Sequence, residues 1–180
     1  MYLCAADEEG NVVSLIQSVA NAFGSGVIAE GTGVLLQNRG LYFRLDPAHV
    51  NRLEPGKRTM HTLIPAMAAA DGRCWAAFGS MGAVSQPEFQ VQVLANLADR
   101  RLDPQAAVAE PRVRVAPGGA ALQVEADHPA AREILRSEMA TEVLRARSSQ
   151  MGHAQALVVD GPGRWRAGAD PRADGSVVIV

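Results

Sequence analysis

The residues best placed to do chemistry surround a turn. FGSMGA at 78–83 closes an apolar run, and SQPEFQVQVLANLAD follows almost directly. Ser85 and Glu88 have the spacing of a capping box, Pro87 falls in a first turn, and Phe89, Val93 and Leu97 recur at helical spacing, so a helix is predicted there. Gly79 to Ala83 then makes a tight turn whose backbone N–H groups can point the same way as the helix N-terminus. Donors so arranged stabilise an anion or a developing oxyanion. An ordinary strand-to-helix turn uses the same residues and needs no ligand. Elsewhere, His61 beside Thr62, at the mouth of a predicted strand, is the best polar candidate, with a hydrogen bond to loop backbone as its plainer role.

Other chemistries find little support. His49, His61, His128 and His153 are the only histidines, with no HExxH and no His/Cys cluster, so no metal site is expected. No G-x-S-x-G elbow occurs. GSG and GTG lack the GxGxxG spacing of a dinucleotide turn, and no GxxxxGK[ST] is present. Asp7 and Asp46 are isolated acids, read as turn and loop formers. With 17 basic against 19 acidic residues, a formal charge of −2 and 4% aromatics, neither a basic stripe nor a base-stacking platform is available, and no nucleic acid partner is expected. Cys4 and Cys74 each lie in an apolar stretch and read as buried thiols, though counting alone leaves a bridge between them open. No apolar run is long enough to span a membrane, and Asp7, Glu8 and Glu9 interrupt the opening stretch, which therefore does not read as a signal peptide.

The elements that must position these residues follow from pattern. YLCAA and VVSLIQS flank a DEEGN turn and read as a hairpin; it starts with no loose residues ahead of it, as if inside a larger fold. Gly24 to Gly40 places glycines at 24, 26, 31, 33 and 40 between short apolar runs, which predicts a loop wrapping a site, entered from a strand at 12–17 and left through one at 34–37. Residues 43–58, rich in Pro and charge, read as a surface loop. HTLIPAMAAA and RCWAAFG around Asp71-Gly72 predict a hairpin, its first strand bulged at Pro65 or beginning after it and its second ending at Gly79. A short helix at 104–109, strands VRV and LQV around a Pro-Gly-Gly turn, a helix from Pro129 to Met139 capped by Asp127, a weakly patterned piece at 140–150, and a last hairpin of AQALVVD and RWRAGAD complete the chain. Successive hairpins with a few helices, and no repeating βα alternation, predict a layered α+β fold.

Several spaced segments then agree with one family. SLIQS at 14–18, FGSG at 23–26, GTGVLLQNRG at 31–40, PGKR and HTLIPA within 55–66, FGSMGA at 78–83, Pro111–Arg112, GHAQA at 152–156, and DPR with its DG at 170–175 together resemble the gamma-glutamyltranspeptidases. More narrowly, the chain resembles the bacterial gamma-glutamyltransferase-like proteins. The resemblance implies an N-terminal nucleophile hydrolase. A precursor of this kind cleaves itself into a large and a small subunit, and the threonine exposed at the start of the small subunit attacks a gamma-glutamyl amide. The fold is a four-layer αββα sandwich built by both. Such a threonine needs no separate base, because its own α-amine can serve near an unperturbed pKa of about 7.7–8. Residues 1–180 match the small subunit as a single region, and the alignment places the nucleophile directly before Met1. The expectation is therefore the small-subunit half of the sandwich, with a large subunit or upstream part of the same precursor as partner, a small-molecule amide as substrate and no cofactor. The chain alone is expected to be inactive. A non-catalytic remnant or structural partner subunit is the alternative, and the compartment stays open between cytoplasm and periplasm.

The carry-over of site residues is mixed. Ser18 matches a hydroxyl that hydrogen-bonds the nucleophile. Ala20 stands where many members have Asn, with Asn21 beside it as the substitute. Arg39 replaces a Gln, and Tyr42 replaces the Asp that pairs with the substrate's α-amino group; a buried ammonium left without its acid loses about 3–5 kcal/mol. His61 and Thr62 occupy the place of a serine pair that holds the α-carboxylate. Gly82 and Ala83 match the glycine pair of the oxyanion hole, Ala83 keeping its N–H while narrowing the allowed φ. Amide hydrolysis or acyl transfer is thus better supported than glutathione as substrate, with an acylase acting on another amide as the alternative within the class.

Overall fold

Alternation along the chain makes the first two strands. In the computed structural model, which describes residues 1–179, β1 (Tyr2–Ala6) pairs antiparallel with β2 (Val12–Ile16), Tyr2 opposite Ile16 and Ala6 opposite Val12. Asp7 closes their turn, its carboxylate accepting the main-chain and side-chain N–H groups of Asn11 at 2.9 and 2.8 Å. Tyr2 packs its ring on Gly79 and shares a 2.8 Å hydrogen bond with Ser14. Leu3, Ala5, Val13 and Leu15 share the opposite face and stay exposed. An antiparallel pair with water on one side ordinarily carries polar residues there.

The chain separates into two compact units, Gln17–Leu63 and the remainder. In the larger, β3 (Ala66–Ala70) and β4 (Arg73–Met81) form the hairpin that Asp71-Gly72 predicts, starting directly after Pro65, with a register shift between Ala68 and Ala69. The second strand runs past Gly79 to Met81 because it keeps pairing up to His153. Helix α1 (Gln86–Ala98) buries the expected Phe89, Val93 and Leu97. Its capping box does not form: Ser85 makes no side-chain cap bond, its N–H being committed to Gly82 O at 3.1 Å, and Glu88 Oε2 accepts from the Val115 N–H at 3.1 Å. Helix α2 (Pro104–Ala109) is capped by Asp103, and β5 (Val113–Val115) pairs antiparallel with β6 (Leu122–Glu125).

The predicted helix over 129–139 shrinks to a single turn, α3 (Ala131–Ile134), with Ala130 and not Asp127 at its N-cap. Ser137 returns both its N–H and its hydroxyl to Ile134 O, drawing the chain out of the helix, while Leu135 and Met139 stay about half exposed and give a longer helix nothing to bury. The weakly patterned stretch after it contains β7 (Thr141–Leu144), which lies parallel to β6. The last hairpin is β8 (His153–Gly161) and β9 (Arg164–Ala169), as expected. β8 pairs with β4, so the main sheet runs β3-β4-β8-β9. Its face carrying Ala76, Phe78, Ala154, Ala156 and Val158 packs on Val93 and Leu97 of α1 and on Ala107 and Val108 of α2. The β1–β2 hairpin contacts β4 and β8, and Tyr2 on Gly79 sets it over the other face. Helices, sheet and hairpin thus form successive layers, the α+β class predicted. Cys4 and Cys74 are unbridged and half-buried.

The smaller unit has no strand among its described residues. The Gly24–Gly40 stretch folds back on itself, with Ser25 N to Leu36 O, Leu36 N to Val27 O and Ala29 N to Val34 O each at 2.9 Å. The expected strand at 34–37 is only an isolated bridge, Ile28 to Leu35, because turns at Ala29–Thr32 and Phe23–Gly26 limit the pairing on either side. Gly24 has φ +49°, and a Cβ there would strike Leu36 O. The loop over 43–58 is organised by Asn51, whose side chain donates to Tyr42 O at 2.7 Å and to Thr59 Oγ1 at 3.1 Å and accepts from the Met60 N–H at 3.1 Å.

Candidate active site

β4 ends at Met81, and the chain passes into α1 through Gly82 and Ala83, which have φ of +153° and +52°. The turn is shorter than the Gly79–Ala83 span expected, since Gly79 and Ser80 still belong to the strand. No side chain fits at Gly82, because a Cβ there would lie 2.5 Å from Phe89 Cε2. Ala83 is exposed, and its N–H meets no acceptor among the described residues. This leaves a donor presented at the end of a buried strand and directly ahead of a helix N-terminus, the arrangement that favours an anionic oxygen.

The other residues singled out in the sequence lie in the smaller unit. Ser18 Oγ accepts from the Ala20 N–H at 3.0 Å, which leaves its own proton available to donate. The Asn21 N–H donates to Asn38 Oδ1 at 3.1 Å and the Asn38 N–H to Val19 O at 3.2 Å, so the segment after Ser18 is tied to the residue preceding Arg39. Arg39 is 5% exposed, and its Nη1 donates to Thr62 Oγ1 at 2.9 Å. No carboxylate among the described residues pairs with it. Tyr42 is half-buried, its carbonyl fixed by Asn51. His61 is exposed, and its Nδ1 accepts from the Leu63 N–H at 3.2 Å, so the imidazole does serve the loop backbone. Thus Arg39 and Thr62 touch, Ser18 and Asn21 are joined to them through Asn38, and His61 faces solvent.

Sequence reasoning gave no role to a buried ionic cluster beside the turn. Arg112 Nη2 donates to Asp170 Oδ2 at 2.6 Å, Arg172 Nη1 to Asp170 Oδ1 at 3.0 Å, and Arg172 also pairs with both oxygens of Glu125. Two cations and two anions balance, and main-chain N–H groups of Arg112, Ser148, Ala154 and Arg172 satisfy the remaining carboxylate lone pairs. Burial pulls the Arg112 guanidinium below its ordinary value, with Asp170 opposing it. Burial works in the same sense on Arg172, but Glu125 and Asp170 outweigh it and hold that group above its ordinary value. The signal in the sequence was the pairing of PR at 111–112 with DPR at 170–172, two charged motifs inside apolar surroundings. Among the described residues no group of three or more His, Cys, Asp or Glu side chains could hold a metal.

The chain as a whole is similar to proteins already known. The family model for Gamma-glutamyltranspeptidase matches residues 1–180. The glutathione hydrolase-like YwrD proenzyme of Bacillus subtilis is 42% identical over 185 residues, covering 99% of this chain and 35% of that protein. A cephalosporin acylase from Bacillus halodurans superposes with a TM-score of 0.89 at 41% identity, over 98% of this chain and 33% of the other. A gamma-glutamyltranspeptidase from Pseudomonas nitroreducens, complexed with L-DON, gives 0.84 at 27% identity, and there 99% of this chain covers 98% of its counterpart. The chain spans about a third of the length of the curated relatives it matches. These likenesses place its α+β layers in the N-terminal nucleophile hydrolase fold.

Proposed function

Because the chain belongs to the gamma-glutamyltranspeptidase family, we propose that it supplies the small-subunit part of an amidohydrolase or acyltransferase acting on gamma-glutamyl or related amides. The observation that carries this reading is the Gly82–Ala83 turn, with its exposed N–H and its two positive φ values at the head of α1. In the proposed reaction a threonine hydroxyl, aligned directly ahead of Met1, attacks the amide carbonyl. The carbonyl oxygen gains charge at the Gly82–Ala83 donors, the amine leaves with the proton that the hydroxyl gave up, and water hydrolyses the acyl ester to the free acid, restoring the hydroxyl. The resemblance assigns Ser18 the role of the family's second hydroxyl, and its proton is available for that role. A partner polypeptide covers the apolar face of Leu3, Ala5, Val13 and Leu15, and the chain without it is inactive.

The acyl group favoured is one with a free carboxylate and no neighbouring ammonium. Arg39 holds a buried positive charge whose polar side-chain partner, among the described residues, is the Thr62 hydroxyl. A guanidinium so placed prefers a planar anion. Tyr42, standing at the position of the family's acid, offers an ammonium no negative charge.

The test uses the polypeptide that carries this sequence together with whatever its gene encodes ahead of Met1. Assayed on gamma-glutamyl and glutaryl anilides, it should release amine and trap an acyl group on the threonine preceding Met1, while residues 1–180 alone release none. An extended polypeptide that cleaves no amide and takes no acyl label would leave the non-catalytic partner as the correct reading.

A further inference from the structure

We propose that Arg112 is a positioning residue for the Gly82–Ala83 turn, acting through the Phe89 ring and the Gly152 backbone. This rests on the reading of that turn as the oxyanion donor. Two consecutive residues with positive φ, one of them an alanine, persist only where their surroundings over-determine them. At Gly82 the surroundings are one ring edge. Phe89 is fully buried, and its Cδ2–Cε2 edge occupies the space where a Cβ on Gly82 would fall, 2.8 and 2.5 Å away. The same edge lies 2.7 Å from the Cβ position of Gly152, a place that Met81 O also crowds. The end of β4, the turn and the Gly152 loop therefore converge on a single side chain.

Arg112 holds both remaining components of that contact. Its guanidinium carbon lies 5.7 Å from the Phe89 ring centroid, within range of cation–π attraction. Its Nη1 donates to Met151 O at 2.8 Å and to Gly152 O at 3.3 Å. The guanidinium is itself fixed by Asp170 Oδ2 at 2.6 Å and Val108 O at 2.8 Å. One planar cation thus sets the ring on one side and the loop on the other, and a lysine ammonium cannot reproduce the fork. Arg112 touches no reacting atom, and its effect passes through Phe89 and Gly152 to the direction of the turn's N–H groups.

The experiment compares Arg112→Lys, Phe89→Leu, their combination and Gly82→Ala in the full polypeptide that carries this sequence. It reads kcat per titrated active site, KM for the glutaryl anilide, and amide hydrogen exchange at Ser85 and Gln86 and along β8. Arg112→Lys should lower kcat on the order of tenfold, less than the 10²–10³ that follows outright loss of one oxyanion donor, with KM unchanged. Exchange should rise at Ser85 and Gln86, whose N–H groups bond Gly82 O and Ala83 O across the turn, while β8 keeps its protection, and the double variant should lose far less than the product of the single losses. Unchanged kcat and local exchange, or exchange raised along β8 with kcat per active site intact, overturns the proposal. Gly82→Ala separates the two readings. Unaltered kcat in a folded Gly82→Ala variant removes the oxyanion reading and the brace with it, whereas a loss there with none in Arg112→Lys removes the brace alone. Where Arg112→Lys does not fold, Phe89→Leu decides on the same readouts.

Discussion

Arg172 meets Glu125 edge to edge, Nε to Oε1 at 2.9 Å and Nη2 to Oε2 at 2.5 Å, with neither side chain exposed. Removing Glu125 leaves two buried cations, Arg112 and Arg172, to share the single carboxylate of Asp170. Glu125→Ala should therefore destabilise the protein by about 3–5 kcal/mol, read as a lower urea midpoint at unchanged m. A loss under about 1 kcal/mol would mean that water reaches the cluster.

Replacing Arg39 tests the acyl preference directly. Glutaryl and gamma-glutamyl anilides differ only in the α-amino group, so their ratio of kcat/KM isolates what that group meets. The native ratio should favour glutaryl, and Arg39→Gln should lower kcat/KM for glutaryl roughly 10- to 100-fold, the range for a hydrogen bond to a charged group. A native preference for the gamma-glutamyl compound would show that some other residue binds the amine.

Acid should weaken the fold through two histidines. Burial holds both His128 and His153 below the ordinary 6.5. His128 Nδ1 also accepts the Ala130 N–H at 3.1 Å, a bond that protonation there would break. With the folded value depressed, the unfolded chain takes up protons first. Stability is complete above about pH 6.5 and declines as pH falls through the folded values. Melting temperature should thus drop between pH 7 and pH 5, and His128→Asn, which can still accept from residue 130, should flatten the slope. An unaltered slope in that variant and in His153→Asn would assign the acid sensitivity elsewhere.

Residues 1–180 made alone should self-associate. Leu3, Val13 and Leu15 are 41%, 48% and 48% exposed on one face of the first hairpin, a larger apolar strip than a solvated strand pair carries. Sedimentation at rising concentration should show oligomers, and Leu3→Lys with Leu15→Lys should reduce them. A monodisperse monomer that melts cooperatively would refute the covered-face assignment.

Much of the scaffold was legible locally. Asp71-Gly72 specifies its hairpin through two positive φ values, and the spacing of Phe89, Val93 and Leu97 places the buried side of α1. Local signals failed where a distant partner took over. Glu88 looks like half of a capping box but serves Val115, 27 residues away. β7, with polar Thr141 and Glu142, is a strand only because β6 offers it a parallel edge, and Gln123 meets Glu142 across that edge at 2.6 Å. At the candidate site, the glycine and alanine of the turn could be read from the chain, but what holds them could not. Phe89, Gly152 and Arg112 meet through packing, which no spacing rule encodes.

The separations inside the ionic cluster impose an order on synthesis. Arg112 pairs across 58 residues and Glu125 across 47, so a ribosome delivers one cation and one anion well before Asp170 and Arg172 exist. Until those last residues emerge, closing α2, β5 and β6 around Arg112 and Glu125 would bury charges with incomplete partners. The nascent chain should therefore stay open to protease until residue 172 clears the exit tunnel and then close in one step. Chains arrested on either side of that point would display the change.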